Sequence, residues 1–221
     1  KGKSILLLGP RQTGKTTLLK KLAPNLSISF ISPRERLRYE LDPSILADEV
    51  KAIADTMDTK PLVIVAEVHI VPHIIDVAQE LLDDKIAQLI LTGSSARKLK
   101  HGTNFNLLPG RVMPLRLDPL SISELPSNQL VLENLLLYGS LPEVILAPTP
   151  EEREELLEAY VTIYSEEEIR AEAIVRNVGH FARFLELAAS ESGYAVNHNK
   201  LSQDIGVART TISEYYKIKE E

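Results

Sequence analysis

The chain has no cysteine, which excludes a disulfide framework and any thiolate metal site. It also lacks long hydrophobic runs. Uninterrupted apolar stretches stop at four or five residues, far short of the ~20 that a membrane-spanning helix needs. No basic segment followed by an apolar stretch stands near the N-terminus, so nothing marks the chain for export; the cytoplasm is the expected compartment and no membrane contact is expected. A basic excess is missing as well. The 25 Lys and Arg are outnumbered by 31 Asp and Glu, a net charge of -6, which argues against a broad nucleic-acid surface while leaving room for a local basic patch.

What remains is ordinary for a globular protein: 44% hydrophobic and 25% charged residues over a length of 221, enough for one large domain or two modest ones. The chain opens without Met and stops at Glu221 inside a helical pattern, so it reads as a piece of a longer protein. There is no internal repeat and no low-complexity tract.

The run Ser4 to Leu8 has the length and continuous apolar character of a strand buried on both faces of a parallel sheet. A helix from Leu18 to Ala23 ends at Pro24. A second strand is expected over 26–31, then a polar segment at Ser32-Pro33-Arg34 and a helix within 43–54. Further strands are expected at 62–65, 88–91 and 112–117, with a helix around 74–82. Strands alternating with helices at this spacing predict a doubly wound parallel sheet with helices on both faces. Beyond Leu120 the pattern is helical, with Leu156, Leu157, Tyr160, Val161 and Tyr164 on one face behind the acidic start Glu151 to Glu155.

Between the first strand and the first helix lies Gly9-Pro10-Arg11-Gln12-Thr13-Gly14-Lys15-Thr16, a full match to the phosphate loop G-x-x-x-x-G-K-[ST] in the required context. Its glycines let the backbone curl so that successive N–H groups meet phosphate oxygens, and the following helix N-terminus adds positive potential. Lys15 reaches the β- and γ-phosphates, Thr16 offers its hydroxyl to Mg²⁺, and Thr17 stands where it can meet the α-phosphate. ATP or ADP with Mg²⁺ is the expected ligand.

Phosphoryl transfer also calls for a carboxylate at the end of a neighbouring strand. The third strand ends in Val65-Ala66-Glu67, so the usual Asp is replaced by Ala66, and Glu67 is the best candidate to orient or deprotonate an attacking water, or else a surface carboxylate at a strand end. Thr92 and Ser94, after another apolar strand, can place hydroxyls beside the γ-phosphate; as turn residues they would look the same. Arg111, just before the fifth strand, is a candidate arginine finger toward a neighbouring subunit, hence a homo-oligomer, or else a surface arginine paired with a carboxylate. His69 and His73 invite a zinc site, which Pro72 and the lack of a third ligand disfavour. Near the C-terminus, Lys200 to Ile212 has helix-turn-helix spacing, with Leu201, Ile205, Val207 and Ile212 as its small core and Gly206 at the turn. From Asn197 to Glu221 four basic residues face four acidic ones, so nucleic acid is a possible but unfavoured partner and protein contact is at least as well supported.

Taken together, GPRQTGKTT from Gly9, the strand ending in Glu67, LTGSSA from Leu91, LPGR ending in Arg111, PLSISEL from Pro119, YGSLPE from Tyr138 and LSQDIGVARTTISEYY from Leu201 resemble prokaryotic AAA-type ATPases. These have a P-loop core, a helical lid and a winged-helix segment leading into a C-terminal domain of unknown function. The resemblance implies an α/β P-loop NTPase core over 1–118, an all-α lid over 119–180 and a truncated winged helix-turn-helix over 181–221. It further implies that Lys15 and Thr16 hold phosphate and Mg²⁺, that LTGSS is a polar sensor, that Arg111 is the finger, and that Gly139 and Pro142 contact the nucleotide near base and sugar. This chain departs from the family at Ala66, which bears on hydrolysis, and at Gly139-Ser140-Leu141 in place of a double glycine, which bears on the lid alone. Three readings follow: an ATPase yielding ADP and phosphate, a non-hydrolysing ATP switch, and an ATP-gated DNA-binding regulator. The protein partner is not specified.

Overall fold

Short apolar strands separated by polar turns assemble into one parallel sheet: β1 (Ser4–Leu8), β2 (Leu26–Ser29), β3 (Leu62–Ala66), β4 (Gln88–Gly93) and β5 (Val112–Arg116), in the spatial order β2-β3-β4-β1-β5. The computed structural model describes residues 2–93, 108–125, 127, 131–163 and 178–219. They divide into a unit of Lys1–Leu130 with Ser140–Pro142 and a unit of Val131–Gly139 with Glu143–Glu221.

In the first unit α1 (Lys15–Lys20), α2 (Pro33–Leu41), α3 (Ile45–Ala54) and α4 (Ile74–Asp83) flank the sheet. Alternation along the strands sends Leu6, Ile28, Val63, Val65, Leu89 and Leu91 to one face, where they pack with residues of α2, α3 and α4. Leu7, Ile64 and Ile90 point the other way and pack with Leu19 of α1. Both faces are therefore covered by helix, as the continuous apolar strands require.

The polar segment expected after β2 is in fact the start of a helix, α2. Pro33 opens it behind Ser32, a position where the missing N–H costs nothing. Its only buried side chain is Tyr39, while Leu37 and Leu41 are exposed, so no apolar stripe announces it. Tyr39 instead donates its hydroxyl proton to Glu49 on α3 at 2.6 Å, and Arg38 pairs with the same carboxylate. Strand β2 stops at Ser29, short of the expected Ile31, because the chain turns there, the Ser32 N–H donating back to the Ser29 carbonyl at 3.1 Å before α2 begins.

The regular elements among the described residues of the second unit are all helices: α5 (Leu132–Tyr138), α6 (which runs Pro142–Leu146 and begins in the first unit), α7 (Pro150–Ile163), α8 (Val178–Ser190), α9 (His198–Ile205) and α10 (Arg209–Lys219). Tyr164, expected on the face of α7, lies outside the described residues. Helices α8 to α10 close around Phe181, Phe184, Leu201, Ile205, Ile212 and Tyr215, with the Phe181 and Tyr215 rings edge to face at 5.0 Å. Asn197 caps α9 by accepting from the N–H groups of Asn199 and Lys200, and Gly206 ends it at φ 80, a left-handed turn suited to glycine. The helix-turn-helix is therefore present with the expected core and turn. No strand, and so no wing, occurs among the described residues of this unit.

Candidate functional site

The phosphate loop leaves β1 at Gly9, whose φ is 149. A Cβ built there would stand 2.1 Å from the carbonyl oxygen of Leu117, so only a hydrogen fits. Leu117 is drawn in because its own N–H donates to the Leu8 carbonyl at 2.8 Å, continuing the β1–β5 pairing one step past the strand. Gln12 and Gly14 also have positive φ, 60 and 91, and Gly14 lies in open space. Together these residues give the loop the tight curl that turns backbone N–H groups inward. Thr13, buried, braces the curl by donating to the Pro10 carbonyl at 3.0 Å.

Lys15 is the first residue of α1 and its side chain is buried. Its Nζ donates to the carbonyls of Gly9 at 2.7 Å and Pro10 at 2.6 Å, which sets the positive charge against the loop itself. A phosphate oxygen is a stronger, charge-assisted acceptor than either carbonyl. Thr16 and Thr17 follow in the first turn and are exposed, where a helix leaves N–H groups without intrahelical partners. Arg11 and Pro10 are partly buried and complete the loop.

The sheet order inserts β4 between β1 and β3. Register then lines up Leu7 with Thr92, and Ala66 with Ser29, and since Val65 pairs with Leu91, Thr92 and Ala66 are neighbours. This row belongs to the face covered by α1, two residues beyond Ile5, Ile90 and Ile64. Thr92 is buried, and its Oγ1 accepts the N–H of Glu67 at 3.2 Å. Simple alternation would send Glu67 to the opposite face. Its backbone instead takes a left-handed conformation, φ 60 and ψ 48, which breaks the alternation and is strained for a residue with a side chain. The Glu67 carbonyl accepts the N–H of Ile70 at 3.0 Å, closing the 3-10 turn Val68–Ile70. Ser94 lies outside the described residues.

Arg111 stands at the other end of the sheet. It precedes β5, which runs parallel to β1, so about 16 Å of strand at ~3.3 Å per residue separates it from the phosphate-loop end. It binds Asp83 at the end of α4 through two bonds of 2.6 and 2.9 Å, and the guanidinium holds the Asp83 carboxyl below its usual range. A role for Arg111 at this chain's own phosphate loop is excluded by that distance. Arg116, which sequence reasoning passed over, sits beside Leu8 at the loop end and pairs with Asp118 at 2.6 Å.

Gly139 ends α5 at φ 69 and ψ -155, a conformation that glycine alone adopts readily. Directly after it, Ser140 accepts the N–H of Leu120 at 2.9 Å, and Pro142 opens α6. His69 and His73 form no metal cluster: among the described residues no group of three or more metal-ligating side chains occurs. His69 lies near Glu67, its Nδ1 3.3 Å from Oε2, without hydrogen-bond geometry between them. No helix among the described residues is long and apolar enough to cross a membrane.

A parallel sheet whose first strand feeds a glycine-bent loop into a helix N-terminus, with a polar strand end from β3 and β4 beside it, defines a P-loop nucleotide-binding protein. The chain belongs to the AAA domain family, whose model matches residues 1–126. Residues 129–220 match a domain of unknown function, DUF8612. No curated protein matches the chain in sequence. Among solved structures it is similar to AMPPCP-bound DnaA from Aquifex aeolicus, at 13% identity and a TM-score of 0.46 over 99% of this chain and 81% of that one. It is also similar to Aeropyrum pernix ORC1 in complex with DNA, at 11% identity and 0.40 over 96% and 76%, and to a RuvB mutant from Thermotoga maritima, at 16% and 0.39 over 96% and 77%.

Proposed function

We propose that the chain is a Mg-ATP-dependent AAA-type ATPase whose nucleotide state switches its helical C-terminal region. The observation that carries this reading is the bond from the Glu67 N–H to Thr92, which joins the ends of β3 and β4 on the loop side of the sheet. The loop N–H groups and Lys15 bind the triphosphate, Glu67 takes a proton from the attacking water, and Thr92 fixes the backbone that carries Glu67. The Thr92 hydroxyl spends a lone pair on Glu67, so its own proton is left to donate.

The residues fit a phosphate cradle, because glycine is required at position 9 and open space surrounds Gly14. For Mg²⁺ the chain offers the exposed Thr16 hydroxyl, with the Ala66 methyl providing no acceptor. The ion would therefore be held chiefly by the phosphates and water, supplying charge neutralisation at the transferred group. Ala66 also favours a second reading, a switch that binds ATP without hydrolysing it. Phosphate release by the full-length chain distinguishes the two.

The test of the site is Lys15→Ala. It removes the cation nearest the β- and γ-phosphates while the helix keeps a good former, and ATP affinity falls at least tenfold, about 1.4 kcal/mol. Titration of a fluorescent ATP analogue measures this. Unchanged affinity in the folded variant would sink the assignment.

A further inference from the structure

Charge is divided unequally along this chain. From Lys1 to Arg34 there are seven Lys or Arg and no Asp or Glu, whereas from Leu117 to Glu158 nine Asp or Glu stand against Arg153 alone. In the sheet unit the basic stretch borders an uncovered apolar strip. Register pairs Met113 with Ile5 and Leu115 with Leu7, so Met113 and Leu115 share the sheet face on which Leu7 packs with Leu19 of α1. Each is nevertheless 42% exposed. Parallel strands joined through a helix take a right-handed crossover, β2 and β5 lie on opposite sides of β1, and successive helical residues are turned by about 100°. Leu18 therefore falls on the flank of α1 toward β5. It is 45% exposed, as is Leu22 at the end of that helix. Strand β5 thus floors a shallow apolar groove that α1 walls on one side, with the exposed Lys3 and Lys21 at its rim and no carboxylate on either element.

The helical unit has the opposite character. Asn134, Leu135 and Tyr138 form the half-buried side of α5, which leaves Leu132, Leu136 and Leu137 outward at 65%, 78% and 70% exposed. On α7, which meets α5 where the Arg153 guanidinium lies over the Tyr138 ring, Glu151, Glu152, Glu154, Glu155 and Glu158 are all exposed. Three outward leucines beside an acidic helix make a surface of the kind that a partner covers. We propose that the α1–β5 groove of one copy receives the α5–α7 face of a second copy, leucine against the apolar floor and glutamate against the lysine rim, in a head-to-tail contact. The occupant is a second copy because both complementary faces belong to one polypeptide, so every molecule presents each of them. Burial of the apolar side chains drives the contact, and the charges set its orientation.

Sedimentation velocity of the full chain, with and without Mg-ATP, tests the contact. The unaltered chain associates as its concentration rises, and less strongly in high salt. Lys3→Glu combined with Lys21→Glu weakens self-association about tenfold or more, and so does Glu155→Lys combined with Glu158→Lys, because in each case the reversed face meets a face of its own sign. Mixing the two altered chains restores association, since every face then finds its opposite. Leu136→Ser weakens it without touching charge, and circular dichroism confirms that these exposed substitutions leave the fold intact. A chain that stays monomeric with and without nucleotide overturns the proposal, as do reversals that leave association unchanged, or a mixture that associates no better than its components. Flotation with phosphatidylserine–phosphatidylcholine vesicles covers the other occupant suited to a basic apolar groove. A monomer that binds these vesicles, and loses them with Lys3→Glu and Lys21→Glu, refutes the second copy and gives the groove to an anionic lipid surface.

Discussion

At position 66 a methyl group stands where phosphoryl-transfer chemistry asks for a carboxylate, beside Thr92 and one residue before Glu67. Ala66 is partly exposed, so a longer side chain has somewhere to go. Ground-state binding depends mainly on the loop and Lys15, whereas metal placement matters most as charge redistributes in the transition state. Ala66→Asp should therefore raise turnover at least tenfold, about 1.4 kcal/mol of barrier, with little change in ATP affinity and only while Glu67 is present. Phosphate release in the single and double variants checks this, and unchanged turnover in a protein that binds Mg-ATP refutes it. Gly9 makes the opposite kind of prediction. Gly9→Ala drives a methyl into the Leu117 carbonyl, so the loop or the end of β5 must yield at a cost of about 1–3 kcal/mol; thermal unfolding reads the loss. The phosphate loop was legible residue by residue because its spacing is a local code. The left-handed bend at Glu67 was not, since no local pattern announces it.

Among the elements, the parallel strands were legible as continuous apolar runs, and their helices as stripes facing them. Helix α2 was missed for the reason that makes it unusual: it is held by Tyr39 and its partner Glu49 and not by an apolar face. The helix-turn-helix was legible in its Leu201, Ile205 and Ile212 spacing, but Phe181 and Phe184, which complete its core, come from α8, outside the motif. Its turn can be tested alone. Gly206 has φ 80 and nothing near its missing Cβ, so Gly206→Ala meets no clash and only the left-handed backbone penalty, about 1–2 kcal/mol. Gly206→Asn should cost less, since asparagine tolerates that region. Equal stability of alanine and glycine at this position, by chemical denaturation, would mean that the turn takes another conformation in solution.

At the scale of the whole molecule, Arg111 has a partner in its own chain and is remote from its own phosphate loop, so any catalytic contribution it makes must be to another copy. Turnover should then rise more than linearly with protein concentration, and Arg111→Ala should flatten that dependence while leaving ATP affinity intact. Constant specific activity from dilute monomer upward would count against the finger. Asp83 must let go for this to happen, and as an exposed pair it resists only weakly. The order of the chain through the two units has a practical corollary. The chain enters the helical unit at Val131, returns to the sheet unit for Ser140–Pro142, and leaves it again at Glu143. The return is fixed by the Leu120 bond to Ser140, while Tyr138 on α5 lies against Arg153 on α7, guanidinium over ring at 5.6 Å. A cut before Val131 strips the sheet unit of the segment bonded to Leu120, and a cut after Pro142 strips the helical unit of α5, so neither unit is whole as a single contiguous fragment.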